Sequence, residues 1–402
     1  MRIALIADVY PPMRSSAAVQ LRDLSQEMVK QSHLPTVMIP SSDLKQPWLL
    51  QDINGVQVLR LKAPRTKDIG YIKRTINEFL LPFIMLRNLR KSPLSSVKWD
   101  GVVWYSPTIF LGPLAKALKK ASSCRSYLII RDIFPEWAVD MGLLNRGLPY
   151  RFFKFIERYQ YSVADVIGVQ TPGNLNYFDR FNLHCHQKVE VLHNWLSTQK
   201  KLVCEITISE TKLVDKKIFV YAGNMGIAQG MRTIIELVEV MHDRRDVGFL
   251  FVGRGSDSIE LREYASRRGL DNVIFHDEID PDQIAALYAQ CDVGIVALDE
   301  RHKTHNIPGK FLSYMEAGLP VLAVVNEGND LVGLIDQKRV GRVSTQRSLG
   351  LLKTAAESLI DEVSIDMSVS HRCKKLANDM FSSEKAVRQI VDSLKKSRYQ
   401  ID

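Results

Sequence analysis

Residues 217–230 read Lys217-Ile-Phe-Val-Tyr-Ala-Gly223-Asn-Met-Gly226-Ile-Ala-Gln-Gly230, and the architecture follows from this stretch. A short apolar run, a glycine-rich turn and a following helical pattern spell strand, loop and helix. Glycines let backbone amides approach an anion closely, and the free N–H groups of a helix start carry positive partial charge. The spacing G-x-x-G-x-x-x-G departs from the dinucleotide fingerprint, and no acidic residue is placed to hold the ribose of a nicotinamide cofactor.

The same unit recurs on both sides. Towards the N-terminus, strands are expected at 3–7, 35–39, 56–61, 101–105, 126–130, 166–170 and 189–192, with a helix over 17–31 carrying Val19, Leu21, Leu24 and Met28 at helical spacing. Towards the C-terminus they are expected at 217–223, 247–252, 273–276, 293–297 and 321–325. Repeated β-α-β of this kind is an α/β fold with parallel, doubly wound sheets. At 402 residues two cores are expected. The pattern divides the chain into a Rossmann-like domain over 1–195, a polar linker over 196–215, a second Rossmann-like domain over 216–383, and a C-terminal helix within 384–402 that packs back on the first domain. Two such domains would face one another across a cleft, the usual ligand position.

Charge is divided unevenly. The chain carries +9, but residues 1–195 hold 26 Lys+Arg against 15 Asp+Glu, so the basic character belongs to the first domain. Between 60 and 98 lie ten basic residues, including Arg87, Arg90 and Lys91, around the apolar run Phe79-Leu-Leu-Pro-Phe-Ile-Met-Leu86. This segment reads either as a surface for anionic lipid or a phosphorylated acceptor, or as a core helix with a solvated basic edge. No nucleic-acid-binding motif accompanies the charge. Arg2–Ala7 is too short for a signal sequence, and no apolar run reaches the roughly 18 residues of a membrane span. Five scattered cysteines without metal-ligand spacing suit reduced thiols, so a cytoplasmic protein is expected, peripheral to the inner membrane if the basic segment meets lipid.

A second stretch carries chemistry. Pro308-Gly309 leads into a helix from Lys310 to Ala317 that stops at Gly318, followed by Pro320, a strand at 321–325 and a Gly328-Asn329-Asp330 turn. Free amides of a first turn and the Lys310 ammonium converge on one spot and suit a phosphate; an ordinary helix of an α/β core has the same pattern. Gly253-Arg254-Gly255 ends another strand, where Arg254 can reach a diphosphate or form a surface ion pair.

Taken together, Phe219-Val-Tyr-Ala-Gly-Asn-Met-Gly226, Phe251-Val-Gly-Arg-Gly255, Asn272-Val-Ile-Phe275, Ala289-Gln-Cys-Asp-Val-Gly294 and Pro308-Gly-Lys310 with Ala317-Gly-Leu-Pro-Val321 resemble the donor domain of a family 4 retaining glycosyltransferase of GT-B fold. Tyr10-Pro-Pro12, Arg131-Asp-Ile-Phe-Pro-Glu136 and Val191-Leu-His-Asn-Trp195 agree, so the resemblance spans the chain. It is strongest to O-antigen and capsule enzymes that transfer N-acetyl-L-fucosamine.

The resemblance implies a UDP-sugar donor in the second domain, a polyprenyl-diphosphate-linked saccharide acceptor in the first, no metal or other cofactor, and no nucleic acid. It implies catalytic roles for Asp132, Glu136 and Lys310. Donor contacts would come from Gly223, Asn224, Gly226, Gln229, Arg254, His305, Asn306, Pro308, Gly309, Ser313, Asn329 and Asp330, and acceptor contacts from Tyr10, Arg14, Ser15, Ser16 and Arg131.

The chain departs from the family pattern at four places. Asn224 and Gln229 stand where relatives carry arginine and lysine. His305 and Ser313 stand where they carry a pair of glutamates, the second of which holds the donor ribose. Arg131 replaces the histidine of a His-Asp pair; the alternative reading of Asp132 is a loop ion pair with Arg131. Ser15 and Ser16 lie in a first loop where relatives carry glycines. A UDP-sugar epimerase of the same architecture and a non-catalytic nucleotide-sugar binding protein are the competing readings.

Overall fold

The computed structural model describes residues 1–13, 15–179, 181, 187–197, 202–301 and 307–395. The chain divides into two compact units, 1–197 with 383–402, and 198–382.

The first unit contains strands β1 (Arg2–Ile6), β2 (Leu34–Ser41), β3 (Trp48–Ile53), β4 (Val56–Lys62), β5 (Gly101–Ser106), β6 (Arg125–Ile130), β7 (Val166–Val169) and β8 (Lys188–Val191). Between them run helices α1 (Ser16–Lys30), α2 (Tyr71–Leu89), α3 (Gly112–Ser122), α4 (Glu136–Asp140), α5 (Leu148–Val163) and α6 (Leu175–Phe178). The sheet order is β3-β4-β2-β1-β5-β6-β7-β8, parallel except for the β3–β4 hairpin. β5 is buried at every position, because a parallel sheet covered on both faces needs continuous apolar strands. The winding reverses between β1 and β5, which opens a crevice at their C-terminal ends.

The second unit contains β9 (Lys217–Ala222), α7 (Met231–Val240), β10 (Val247–Val252), α8 (Ser258–Arg267), β11 (Val273–His276), α9 (Ile284–Tyr288) and β12 (Val293–Ala297). These are followed by α10 (Gly309–Ala317), β13 (Val321–Val324), α11 (Asp330–Lys338), β14 (Gly341–Ser344), α12 (Leu349–Ile365) and α13 (Ser368–Met380). Its sheet is wholly parallel in the order β11-β10-β9-β12-β13-β14, reversing between β9 and β12. Phe219, Tyr221, Phe249 and Phe251 fill the core on one side of the central strands.

The final helix, α14 (Ser383–Lys395), belongs to the first unit. Its apolar stripe of Ala386, Val387, Ile390, Val391 and Leu394 is buried with Ile3, Leu5 and Leu21. Gln389 donates to Glu190 Oε1 and to the Val191 carbonyl, both at 2.9 Å, and so ties the helix to β8.

Three features differ from the sequence reading. β3 is an added edge strand, paired with β4 across Asn54-Gly55, both at positive φ; its half-exposed side chains hide it from an apolar-run search. β14 is four residues long and lies so close to β13 that a Cβ on Gly341 would sit 2.0 Å from the Val321 carbonyl oxygen. Residues 202–215, expected as linker, are part of the second unit. Ile206, Ile208 and Leu213 are buried, and Gln290 bonds the backbone of Ile206 and Ile208 at 2.9 Å. Apolar residues at irregular spacing among polar ones give no periodic signal.

Candidate functional site

In the second unit Lys310 and the glycine loop, expected from the sequence to hold the donor, lie at the reversal between β9 and β12. Two loops lie against each other there. The Gly223 amide donates to Val252 and the Met225 amide to Arg254, at 2.9 and 2.8 Å. A Cβ on Gly253 would fall 2.1 Å from the Gly223 oxygen, and one on Gly255 2.2 Å from the Met225 oxygen. These two glycines, both at positive φ, are therefore required by backbone meeting backbone. The Gly223–Gly230 loop is closed on itself. Gln229 Oε1 accepts from the Asn224 side-chain amide at 2.9 Å and from the Gly226 N–H at 3.1 Å. Where the family resemblance implies two cations, this chain holds a neutral amide pair bonded to itself.

Lys310 enters from the first turn of α10, whose N-cap position is Pro308 and whose first residue is Gly309. Its ammonium stands 3.6 Å from the centre of the Tyr221 ring. A Cβ on Gly223 would meet Lys310 Nζ at 3.5 Å, so the lysine lies directly against the glycine loop. Among the described residues it has no carboxylate partner. Burial without a counter-charge pulls its pKa down to about 7. Lys310 is thus a desolvated amine beside the glycine loop with no counter-charge among the described residues.

Tyr314, unremarked in the sequence, locks α10 in place. β9 and β12 pair only as far as Val220, and beyond it the Tyr314 hydroxyl donates to the Val220 carbonyl at 3.0 Å and accepts from the Ala222 amide at 3.4 Å. Its ring lies over Gly294, where a Cβ would come within 2.4 Å of it. The Tyr221 ring under Lys310 was likewise not anticipated. A tyrosine in an apolar strand or helix reads as core, and only the fold shows what it supports.

Several expected donor contacts are occupied otherwise. Arg254 is exposed and paired with Glu278 at 2.9 Å. Asn329 is buried as the N-cap of α11, accepting from Leu331 N–H at 2.9 Å, with Asp330 in that helix's first turn. Ser313 Oγ donates to the Gly309 carbonyl at 3.3 Å, a bond within the helix. His305 and Asn306 lie outside the described residues, as does Arg14.

In the first unit, Asp132 follows β6, half-buried. Tyr10 is core rather than contact surface: its hydroxyl bonds Ser25 at 2.8 Å and only 1% of the residue is exposed. Arg131 is also interior. Its Nη1 donates to the Leu192 carbonyl at 2.9 Å and its guanidinium stacks 4.6 Å from the Trp195 ring, so it braces two strand ends rather than reaching an acceptor. Glu136 accepts from the Tyr150 hydroxyl at 2.8 Å and pairs with Lys154 at 3.1 Å, which makes it part of a structural network. Ser15 caps α1 through Ala18 N–H, and Ser16 begins that helix, exposed. Asp8, unremarked in the sequence, stands at the β1–β5 reversal. One of its carboxylate oxygens is buried with no hydrogen-bond partner among the described residues, and burial raises its pKa against the opposing pull of Lys67 and Arg74.

Comparison with known proteins bears on the same segment. Residues 216–362 match the family described as glycosyl transferases group 1. The chain is similar to a probable glycosyltransferase, WbjE, of Pseudomonas aeruginosa, with 24% identity over 231 residues, 56% of this chain and 57% of that protein. It is also similar to WcaI of Escherichia coli K12, a putative colanic acid biosynthesis glycosyl transferase, with 24% identity over 55% of this chain and 56% of that one. The chain thus spans little more than half the length of these relatives. In three dimensions it resembles Anabaena HepE, solved in complex with UDP, with a TM-score of 0.67 at 13% identity over 98% of this chain and 99% of that one.

Proposed function

We propose that the chain is a family 4 glycosyltransferase of GT-B fold, in keeping with the glycosyl transferases group 1 match over residues 216–362, and that it transfers a sugar, with retention, from a UDP-sugar to a lipid-linked saccharide in the assembly of an O-antigen or capsule. The sugar is read as a deoxy-amino sugar, with N-acetyl-L-fucosamine the foremost candidate. In the reaction the bond between the sugar's anomeric carbon and the diphosphate breaks, the acceptor oxygen takes its place, the acceptor proton is lost and UDP departs.

One observation carries this reading: Lys310, desolvated over Tyr221 and without a carboxylate among the described residues, lies against the glycine loop at the sheet's reversal point. A preorganised cation and helix-terminal amides stabilise charge as it develops on a leaving diphosphate. On this reading no metal is needed for that task, because Lys310 and the amides of α10 supply it. Asp132 and Asp8 of the first unit would, on this reading, meet acceptor hydroxyls. The enzyme would act from the cytoplasmic side of the inner membrane.

Incubation with UDP-sugars, following UDP release with and without a lipid-linked saccharide, tests the proposal. Acceptor-dependent release is the expected result. Isomerised UDP-sugar without transfer would indicate an epimerase, and binding without turnover a nucleotide-sugar sensor; either would overturn it.

A further inference from the structure

Helices α2 and α5 of the first unit bury one face and leave the other apolar. On α2, Leu81, Met85 and Leu89 enter the core. Its opposite face exposes Ile72, Ile76, Phe79 and Phe83, spaced four, three and four residues apart so that they form one stripe. On α5, Phe152 and Phe155 are exposed while Ile156 and Tyr161 are buried. The two stripes join, since the Phe79 ring centre lies 6.2 Å from Phe152 and 6.1 Å from Phe83. Scattered apolar side chains on a surface are ordinary, but a contiguous aromatic and aliphatic face over two helices marks a contact surface.

The border of this face is cationic. Arg87 continues the α2 stripe, Arg90 and Lys91 follow it, and Arg151 and Arg158 flank Phe155 on α5; all five are exposed. Arg74 and Lys154 on the same helices are paired, with Glu78 and Glu136. Among the described residues none of the five has a carboxylate partner. Charge complementarity selects the occupant. A second copy of the chain would set this basic border against itself in a two-fold contact. A bilayer with anionic headgroups takes the rings at its acyl boundary and the cations at its phosphates.

We propose that the joined face of α2 and α5 docks the first unit on an anionic lipid bilayer, with Phe79, Phe83, Phe152 and Phe155 entering the headgroup boundary and Arg87, Arg90, Lys91, Arg151 and Arg158 on lipid phosphates. The proposal rests on the functional reading only in that a lipid-linked acceptor lies in the same membrane. No nucleotide enters its test, so the two fail separately.

The test is flotation of the intact protein with phosphatidylcholine vesicles, with and without phosphatidylglycerol. Binding is expected only where phosphatidylglycerol is present, and it should weaken with salt, which screens surface charge within ~10 Å at about 0.1 M. Replacing Arg87, Arg90 and Lys91 together by Gln should lower the vesicle partition coefficient by roughly two orders of magnitude. The double change Phe79→Ser and Phe155→Ser should abolish binding, while its melting temperature stays at the wild-type value because both rings are exposed. Absence of binding to phosphatidylglycerol vesicles would overturn the proposal, as would equal binding by the variants. So would a wild-type dimer that the Phe changes dissociate, since a second copy would then cover the face.

Discussion

Lys310 carries a charge that its surroundings oppose. Its pKa is lowered in the folded protein, so the penalty of burying the ammonium is fully present below about pH 7 and disappears as pH rises towards the unfolded value near 10.5. Lys310→Met should therefore raise the melting temperature at neutral pH, yet lower turnover by about two orders of magnitude. Thermal melts and UDP-release rates on the same preparation check both halves; unchanged turnover at saturating donor would remove the lysine from the chemistry. Ser313→Ala should weaken UDP binding by no more than about 1 kcal/mol, because one neutral hydrogen bond is at stake and the hydroxyl already donates to Gly309; titration of the variant with UDP measures it. Lys310 was legible because Pro-Gly-Lys opens a helix and Gly-Leu-Pro closes it. Arg131 was misread because its burial depends on Trp195, a partner far along the chain that no local pattern announces. Asp8 was missed for a similar reason: an aspartate after a strand looks like a terminator until the sheet order puts it at a reversal point.

At the level of elements, most strands announced themselves as apolar runs, since parallel strands buried on both faces leave no room for polar residues. What escaped were the partly exposed β3, the four-residue β14 and the packed segment before β9, whose places are set by neighbours rather than by their own periodicity. The contacts that hold α10 and the glycine loops are equally tertiary. Tyr314→Phe removes the hydroxyl that bridges Val220 and Ala222 and leaves both backbone groups short of a partner. A loss of about 1–3 kcal/mol is expected from denaturant midpoints, with weaker UDP binding as α10 loosens. Gly253→Ala forces a Cβ onto the Gly223 carbonyl and a side chain into a glycine conformation, at a cost of at least about 1–3 kcal/mol. A Gly253→Ala protein as stable as wild type would show that the two loops separate freely.

Over the whole molecule, the chain returns to its first unit through α14. Val387, Ile390, Val391 and Leu394 of that helix are buried there, each contributing about 1.5–3 kcal/mol, a sum comparable to the ~5–15 kcal/mol that stabilises a domain. Ending the chain after Ser382 should unfold or aggregate the first unit; a truncated protein melting like the full chain would contradict that role for α14. A C-terminal helix was readable in the sequence, whereas its anchor, Gln389 on Glu190 and Val191, was not. In the second unit a donor diphosphate is to meet Lys310, and calorimetric titration of the intact protein with UDP across pH measures that encounter. A bound diphosphate raises the lysine's pKa, so binding takes up a proton wherever the free lysine is neutral. One UDP per chain is expected, with an affinity that falls by roughly tenfold per pH unit above about pH 7 and a slope there that vanishes in Lys310→Met. No UDP binding, or binding with the same affinity and pH profile in wild type and Lys310→Met, would contradict it.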